Sequence, residues 1–263
     1  MSDDFLHTTL PVLDKRIHRL GLACNYGLDD AGIEAALEDR GMGFVFWTPR
    51  QKHGEAPLRK RLKAARDEVV LMSGPTTAHW GGNITRYVDK TLRRLDIDHI
   101  DVGMVFWVGI TASLTEDRMA EMMKLRDQGK VKAIGCSIHD RPRAGELAAS
   151  SELDLLMVRY NAAHPGAERD IFPRLDPDRP RIVLAYTATR WRKLLKRPRG
   201  WQGEVMTAAH CYRFCLSNPS VHAVLGGPKT LAQLDENLEG LARGQLTPDE
   251  EAWVREYGRI VHG

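Results

Sequence analysis

Eight times along 263 residues a short apolar run gives way to an amphipathic stretch, and few architectures absorb such a pattern. The apolar runs cover residues 19–23, 43–47, 68–73, 100–106, 132–137, 154–159, 181–186 and 221–225. The amphipathic stretches cover 30–40, 55–66, 83–95, 116–128, 141–150, 168–175, 207–217 and 229–242. Val69-Val70-Leu71-Met72 and Val183-Leu184-Ala185 are apolar throughout, as strands covered on both faces should be. The punctuation agrees: Asp29 or Asp30, Asn83 and Thr115 stand where helix N-caps belong, and Gly41 and Gly129 follow their helices. Eight strand–helix units predict an α/β fold, a single (β/α)8 TIM barrel. No G-x-G-x-x-G follows any apolar run, which argues against an open dinucleotide-binding sheet. The stretch from Leu246 through Thr247, Pro248 and residues 249–258 reads as one extra C-terminal helix. No linker or low-complexity segment interrupts the chain, so residues 1–263 are expected to form one domain.

Composition narrows the classes of function. A hydrophobic content of 43% with 28% charged residues suits a soluble chain with a sizeable core. A formal net charge of +3 is too small to argue for nucleic acid. Cys24, Cys136, Cys211 and Cys215 contain no C-x-x-C pair, so small buried hydrophobes are expected rather than disulfides or a metal site. Neither an N-terminal secretion-type apolar segment nor a membrane-length apolar run is present. The expectation is a cytoplasmic protein that acts on a small molecule, with no membrane or nucleic-acid partner. Oligomeric state leaves no readable trace.

In a barrel of this kind chemistry gathers at the C-terminal ends of the strands. Those ends hold Cys24-Asn25-Tyr26, Phe46-Trp47-Thr48, Ser73-Gly74, Phe106-Trp107, Ser137-Ile138-His139, Arg159-Tyr160-Asn161, Tyr186-Thr187 and Gly226-Gly227. They are rich in aromatics and poor in carboxylates. No His/Asp/Glu set has ligand spacing, so no metal is expected. No strand-end carboxylate pair suggests a glycosidase, and no G-x-S-x-G suggests acyl transfer. Between Arg190 and Arg199 six of ten residues are basic, which suits a phosphate-bearing ligand. Arg159 and His164 add positive charge to the same mouth.

Six pieces together resemble the aldo-keto reductases, NADPH-dependent (β/α)8 oxidoreductases. They are Gly21-Leu22, the run from Leu92 to Asp101, GKVKAIGCS from Gly129 to Ser137, Tyr160-Asn161, Ala185-Tyr186, and Gly227 through Asn237. The resemblance covers nearly the full length. It implies carbonyl reduction by a strand-end Asp, Tyr, Lys and His, with Tyr as general acid. At those four positions this chain carries Phe46, Gln51, Gly74 and Phe106, a register supported by Glu55. Lys52 and His53, beside the missing tyrosine, are the candidate proton donors.

The cofactor half is better preserved. The resemblance puts Ser137 at the nicotinamide amide, although Ile138 and Met157 replace the family's neighbouring amide residues. It puts Tyr186 beneath the nicotinamide ring and Arg190 in the segment that passes the pyrophosphate. Lys229 would pair with the 2′-phosphate, while Gln233 and Asn237, four apart on one helix face, would meet adenine. Phe46, Trp47, Phe106 and Trp107 would wall an apolar substrate pocket. The implied cofactor is NADP(H). Three readings stay open: a reductase with an unusual proton donor, a pseudoenzyme that binds NADP(H) or another anion, and a non-redox isomerase or cyclase.

Overall fold

A computed structural model describes residues 4–75, 83–109 and 113–262. An antiparallel hairpin of β1 (His7–Leu10) and β2 (Lys15–His18) comes first. Eight parallel strands then close a barrel: β3 (Leu20–Ala23), β4 (Phe44–Phe46), β5 (Val70–Ser73), β6 (Ile100–Val108), β7 (Val131–Ile138), β8 (Leu155–Arg159), β9 (Ile182–Tyr186) and β10 (Ala223–Gly226). Closure comes from β10 pairing with β3, where Val224 lies opposite Leu20. The helices are α1 (Asp30–Glu38), α2 (Glu55–Ala64), α3 (Ile84–Leu95), α4 (Glu116–Asp127), α5 (Arg141–Ser150), α6 (Ala167–Asp170), α7 (Ala208–Ser217), α8 (Leu231–Leu241) and α9 (Pro248–His262). The (β/α)8 barrel with its extra C-terminal helix is thus the architecture found.

The caps follow the chemistry of their side chains. Asp29 accepts from Gly32 N at 2.8 Å and Asn83 from Arg86 N at 2.7 Å, each satisfying a free helix donor. Gly129 ends α4 with φ +71, where a side chain would be strained. The stretch 168–175 departs from expectation. Its α-helix stops at Asp170 and a 3-10 turn, Phe172–Arg174, follows. Pro173 lacks the amide hydrogen a longer helix needs and disfavours helical backbone at the residue before it.

Alternation along each strand sorts the core into two layers. Leu22, Val45, Leu71 and Ile134 face the helices, whereas Phe44, Val70, Met104 and Leu184 fill the barrel. The hairpin has no counterpart among the expected elements, because four-residue strands are too short for periodicity to register. Leu10 and Ile17 join the inner layer and stopper the base of the barrel. Buried Asp101 fastens that stopper. It accepts from Lys15 Nζ at 2.9 Å, an Arg66 guanidinium nitrogen at 2.7 Å and Leu71 N at 2.9 Å. All four cysteines are buried and unpaired, and burial pushes their thiols up out of the reactive range. Among the described residues no helix is long and apolar enough to cross a membrane, and no His/Cys/Asp/Glu group could hold a metal ion.

Candidate active site

A cavity of about 1130 Å³ opens at the C-terminal ends of the strands. Its floor is apolar. Phe46 and Phe106 meet edge to face with ring centroids 5.1 Å apart, and Met157 and Tyr186 complete the surface. From there the cavity runs without a break past Gly227 to Lys229, Gln233 and Asn237 at the start of α8. Eight expected site residues therefore share one space: Ser137, Tyr186, Lys229, Gln233, Asn237, Phe46, Phe106 and Trp107.

Trp107 sits in a local break of the barrel. The pairing of β6 with β7 slips between Val105 and Val108, and Trp107 takes left-handed backbone with φ +59. Its N–H donates to Ser137 Oγ at 2.7 Å. The indole stays 36% exposed and lines the cavity mouth. Beyond β9, Arg190, Trp191 and Arg192 form a run of left-handed residues, and Trp191, which also lines the cavity, is the most exposed large apolar side chain described, at 65%. Three such residues in succession store strain, a feature that concentrates at functional loops.

Four expected residues lie elsewhere. Trp47 follows the outward register of Val45, packs wholly buried against the helical layer, and donates from Nε1 to the carbonyl of His53 at 3.0 Å. It does not line the cavity. Arg190 donates to the carbonyl oxygens of Val261 and His262, so its guanidinium ties down the C-terminal end of α9. His53 stands beside Asp30, with Nδ1 3.6 Å from the carboxylate, and Lys52 is exposed; neither reaches the cavity. The wall there is built by Thr48, Arg50 and Gln51. Both polar atoms of the Gln51 amide are buried without a hydrogen-bond partner among the described residues.

At Gly74, where the resemblance implies a lysine, the backbone closes in. A Cβ on Gly74 would lie 2.0 Å from the carbonyl oxygen of Met104. The hydroxyls of Ser73 and Tyr87 are buried close by, without a well-formed hydrogen bond. Burial pushes Tyr87 up to about 12, against the smaller easing effect of Thr48, Ser73 and Arg50. Tyr186 is likewise pushed up by burial, and its hydroxyl and that of Thr187 have no hydrogen-bond partner among the described residues.

At the far end α8 is capped from within. Thr230 Oγ1 accepts from Gln233 N at 3.2 Å, and Gln233 Oε1 accepts from Lys229 N at 2.9 Å. Gln233 is therefore partly committed to its own helix. Tyr26, which no motif singled out, closes over this end; a Cβ on Gly227 would come within 2.5 Å of its ring. The glycine beside an aromatic at a strand end was the available signal.

Residues 62–176 match the model of the Aldo/keto reductase family. Over that stretch, under half of its length, the chain is similar to the aldo-keto reductases. It is 30% identical over 156 residues to an aldo-keto reductase of Bacillus subtilis, a match covering 54% of this chain and 46% of that protein. It is 29% identical over 107 residues to the NADH-specific methylglyoxal reductase of Escherichia coli, covering 40% of this chain and 32% of the relative. The matched stretches thus span less than half of these curated relatives. Among solved structures, an aldo-keto reductase from Bacillus halodurans in its holo form aligns over 95% of both chains with a TM-score of 0.75 and 18% identity. An aldo-keto reductase from Klebsiella pneumoniae in complex with NADPH aligns over 94% of this chain and 93% of its own, with a TM-score of 0.73 and 21% identity. At such identities the likeness is one of fold. At the positions where the resemblance implies ionisable groups the chain carries Phe46, Gln51, Gly74 and Phe106.

Proposed function

We propose that the barrel mouth binds NADP(H) and that the protein exchanges hydride with a small carbonyl or alcohol compound. One observation carries this reading: a single cavity joins Ser137 and Tyr186 to Lys229 and Asn237. The residues fit such a cofactor at both ends. Tyr186 offers an aromatic face, and no carboxylate among the described residues forms an ion pair with the Lys229 ammonium. The fit is poorer at the carboxamide, where Ile138 and Met157 stand.

Nicotinamide, when bound, supplies the hydride. The protein's own part is orientation and exclusion of water. Ser137 Oγ takes the Trp107 N–H with a lone pair and keeps its proton free to donate. Phe46 and Phe106 keep the floor dry. With no acid at the four implied positions, the substrate oxygen takes its proton from water on the Gln51 side. Losing a positioned acid costs roughly 10²–10⁴ in rate, so slow turnover is expected.

A second reading is NADP(H) binding without redox turnover, favoured by the closed backbone at Gly74. Quenching of tryptophan fluorescence by NADPH tests both, since Trp107 and Trp191 line the mouth. No quenching at millimolar NADPH sinks both readings. Loss of nicotinamide absorbance with a panel of aldehydes and ketones supports the first; binding without any loss leaves the second.

A further inference from the structure

Four of the six residues from Thr187 to Arg192 hold left-handed backbone, with φ +54 at Thr187, +49 at Arg190, +53 at Trp191 and +66 at Arg192. None is glycine, and the β-branched side chain of Thr187 is the least suited to that region. A segment of this kind keeps its shape only where neighbouring groups impose it. Thr187, Ala188, Thr189, Trp191 and Arg192 all line the cavity.

The restraints come from outside the cavity. Asn161, two residues beyond β8 and fully buried, donates from Nδ2 to the carbonyl oxygen of Thr187 at 2.9 Å. Its Oδ1 accepts from Ala163 N at 3.1 Å. One acceptor and one donor on either side leave that amide a single orientation. Arg190 donates to the carbonyl oxygens of Val261 and His262, the latter at 3.3 Å. Further along, the carbonyl oxygen of Lys196 accepts from the Tyr257 hydroxyl at 2.7 Å. Tyr257 is itself wholly buried, with its ring edge to face with Trp201 at 5.2 Å. Helix α9 therefore grips this segment at two points, and the cavity-lining Trp191, Arg192 and Leu195 lie between them. Asn161, Arg190 and Tyr257 themselves stand outside the cavity.

We propose that Asn161, Arg190 and Tyr257 are positioning residues for the ligand site. Together they hold the segment in its left-handed shape and keep Trp191 and Arg192 at the cavity mouth, where these two confine what is bound. The extra helix serves the site without lending it a side chain. This rests on the reading of the mouth as an NADP(H) site, and it names the residues that set how fast the cofactor leaves.

The segment carries its own probes, because trypsin cuts after Arg192 and Lys193. Limited digestion of the ligand-free protein, read by mass spectrometry, reports how often this stretch opens. Arg190→Met, Tyr257→Phe and Asn161→Ala should each speed cleavage there by about tenfold, the scale of one lost hydrogen bond whose partner is left buried. Cleavage elsewhere in the chain should keep its wild-type rate. A rise at all sites together marks general destabilisation and overturns the proposal, as does no rise at all. Arg190→Lys should keep part of the resistance. Adding Thr187→Gly to Asn161→Ala should restore part of it too, since glycine takes left-handed backbone freely; no restoration overturns the role of Asn161. Tyr257→Phe removes one hydroxyl and leaves the ring packed, so the test stands even where Asn161→Ala fails to fold. Release of NADPH from preloaded protein, followed by stopped-flow fluorescence, should be about tenfold faster in the same variants. Unchanged release overturns the positioning role. Digestion needs no ligand, so a failure of cofactor binding is told apart from a failure of the restraints.

Discussion

Ser137 Oγ accepts the backbone N–H of Trp107 at 2.7 Å, and so clips an exposed tryptophan of β6 to the neighbouring strand β7. The residue that the resemblance puts at the nicotinamide amide therefore also holds the bulge that shapes the cavity mouth. Ser137→Ala should lose that clip while Trp107 keeps its costly left-handed backbone. The expected outcome is a fall in stability of about 1 kcal/mol, roughly 2–4 °C in Tm, with a shifted tryptophan emission. An unchanged Tm and spectrum would contradict the role.

Gly74 faces a backbone oxygen that a flexible side chain cannot yield to. Gly74→Ala should cost on the order of 1–3 kcal/mol, since β6 must move to admit the Cβ. Restoring a lysine here should consequently destabilise the barrel without creating reductase activity. Thermal unfolding of the alanine variant decides the point; stability equal to wild type would show that the strand yields easily.

Lys229 lines the far end of the cavity, where the proposed reading puts the 2′-phosphate. Lys229→Glu should weaken NADPH by about tenfold or more and NADH far less, because only the former carries the extra phosphate charge. Parallel titrations with the two dinucleotides measure the difference. Equal losses would place the phosphate elsewhere.

His222 links stability to pH. Its Nδ1 accepts from Val183 N at 3.1 Å, and burial, with Arg19 nearby, lowers it from 6.5 to about 4. A depressed histidine binds its proton more readily in the unfolded chain, so its contribution is complete above pH 6.5 and drains away as pH falls towards 4. His222→Asn retains an acceptor that does not titrate. Urea unfolding across this window should show a shallower pH slope for the variant than for wild type.

Asp101 is a buried carboxylate with two cationic partners and one backbone donor. Asp101→Asn leaves Lys15 and Arg66 without their counter-charge and should cost about 3–5 kcal/mol. Chemical denaturation measures it. The same change should leave the shape of the ligand cavity intact, since the network lies at the opposite end of the barrel.

Much of this was legible in the chain. The runs at 132–137 and 181–186 differ from β7 and β9 by only one or two residues, because buried strands need uninterrupted apolar sequence and glycine or capping residues mark where helices stop. The run from Leu92 to Asp101 was legible as a family feature, but not as the anchor of a stoppering hairpin whose partners, Lys15 and Arg66, lie far away in sequence.

What the sequence by itself determined is the order of strands and helices and the absence of ionisable groups at Phe46, Gln51, Gly74 and Phe106; both are local properties of residue type and spacing. Only the tertiary structure decided which neighbours share a space. Phe46 and Trp47 are adjacent and both aromatic, yet the two-residue period of a strand sends one into the cavity and the other into the helical layer. Arg190 reads as a phosphate ligand until α9, some seventy positions on, presents its terminal carbonyls.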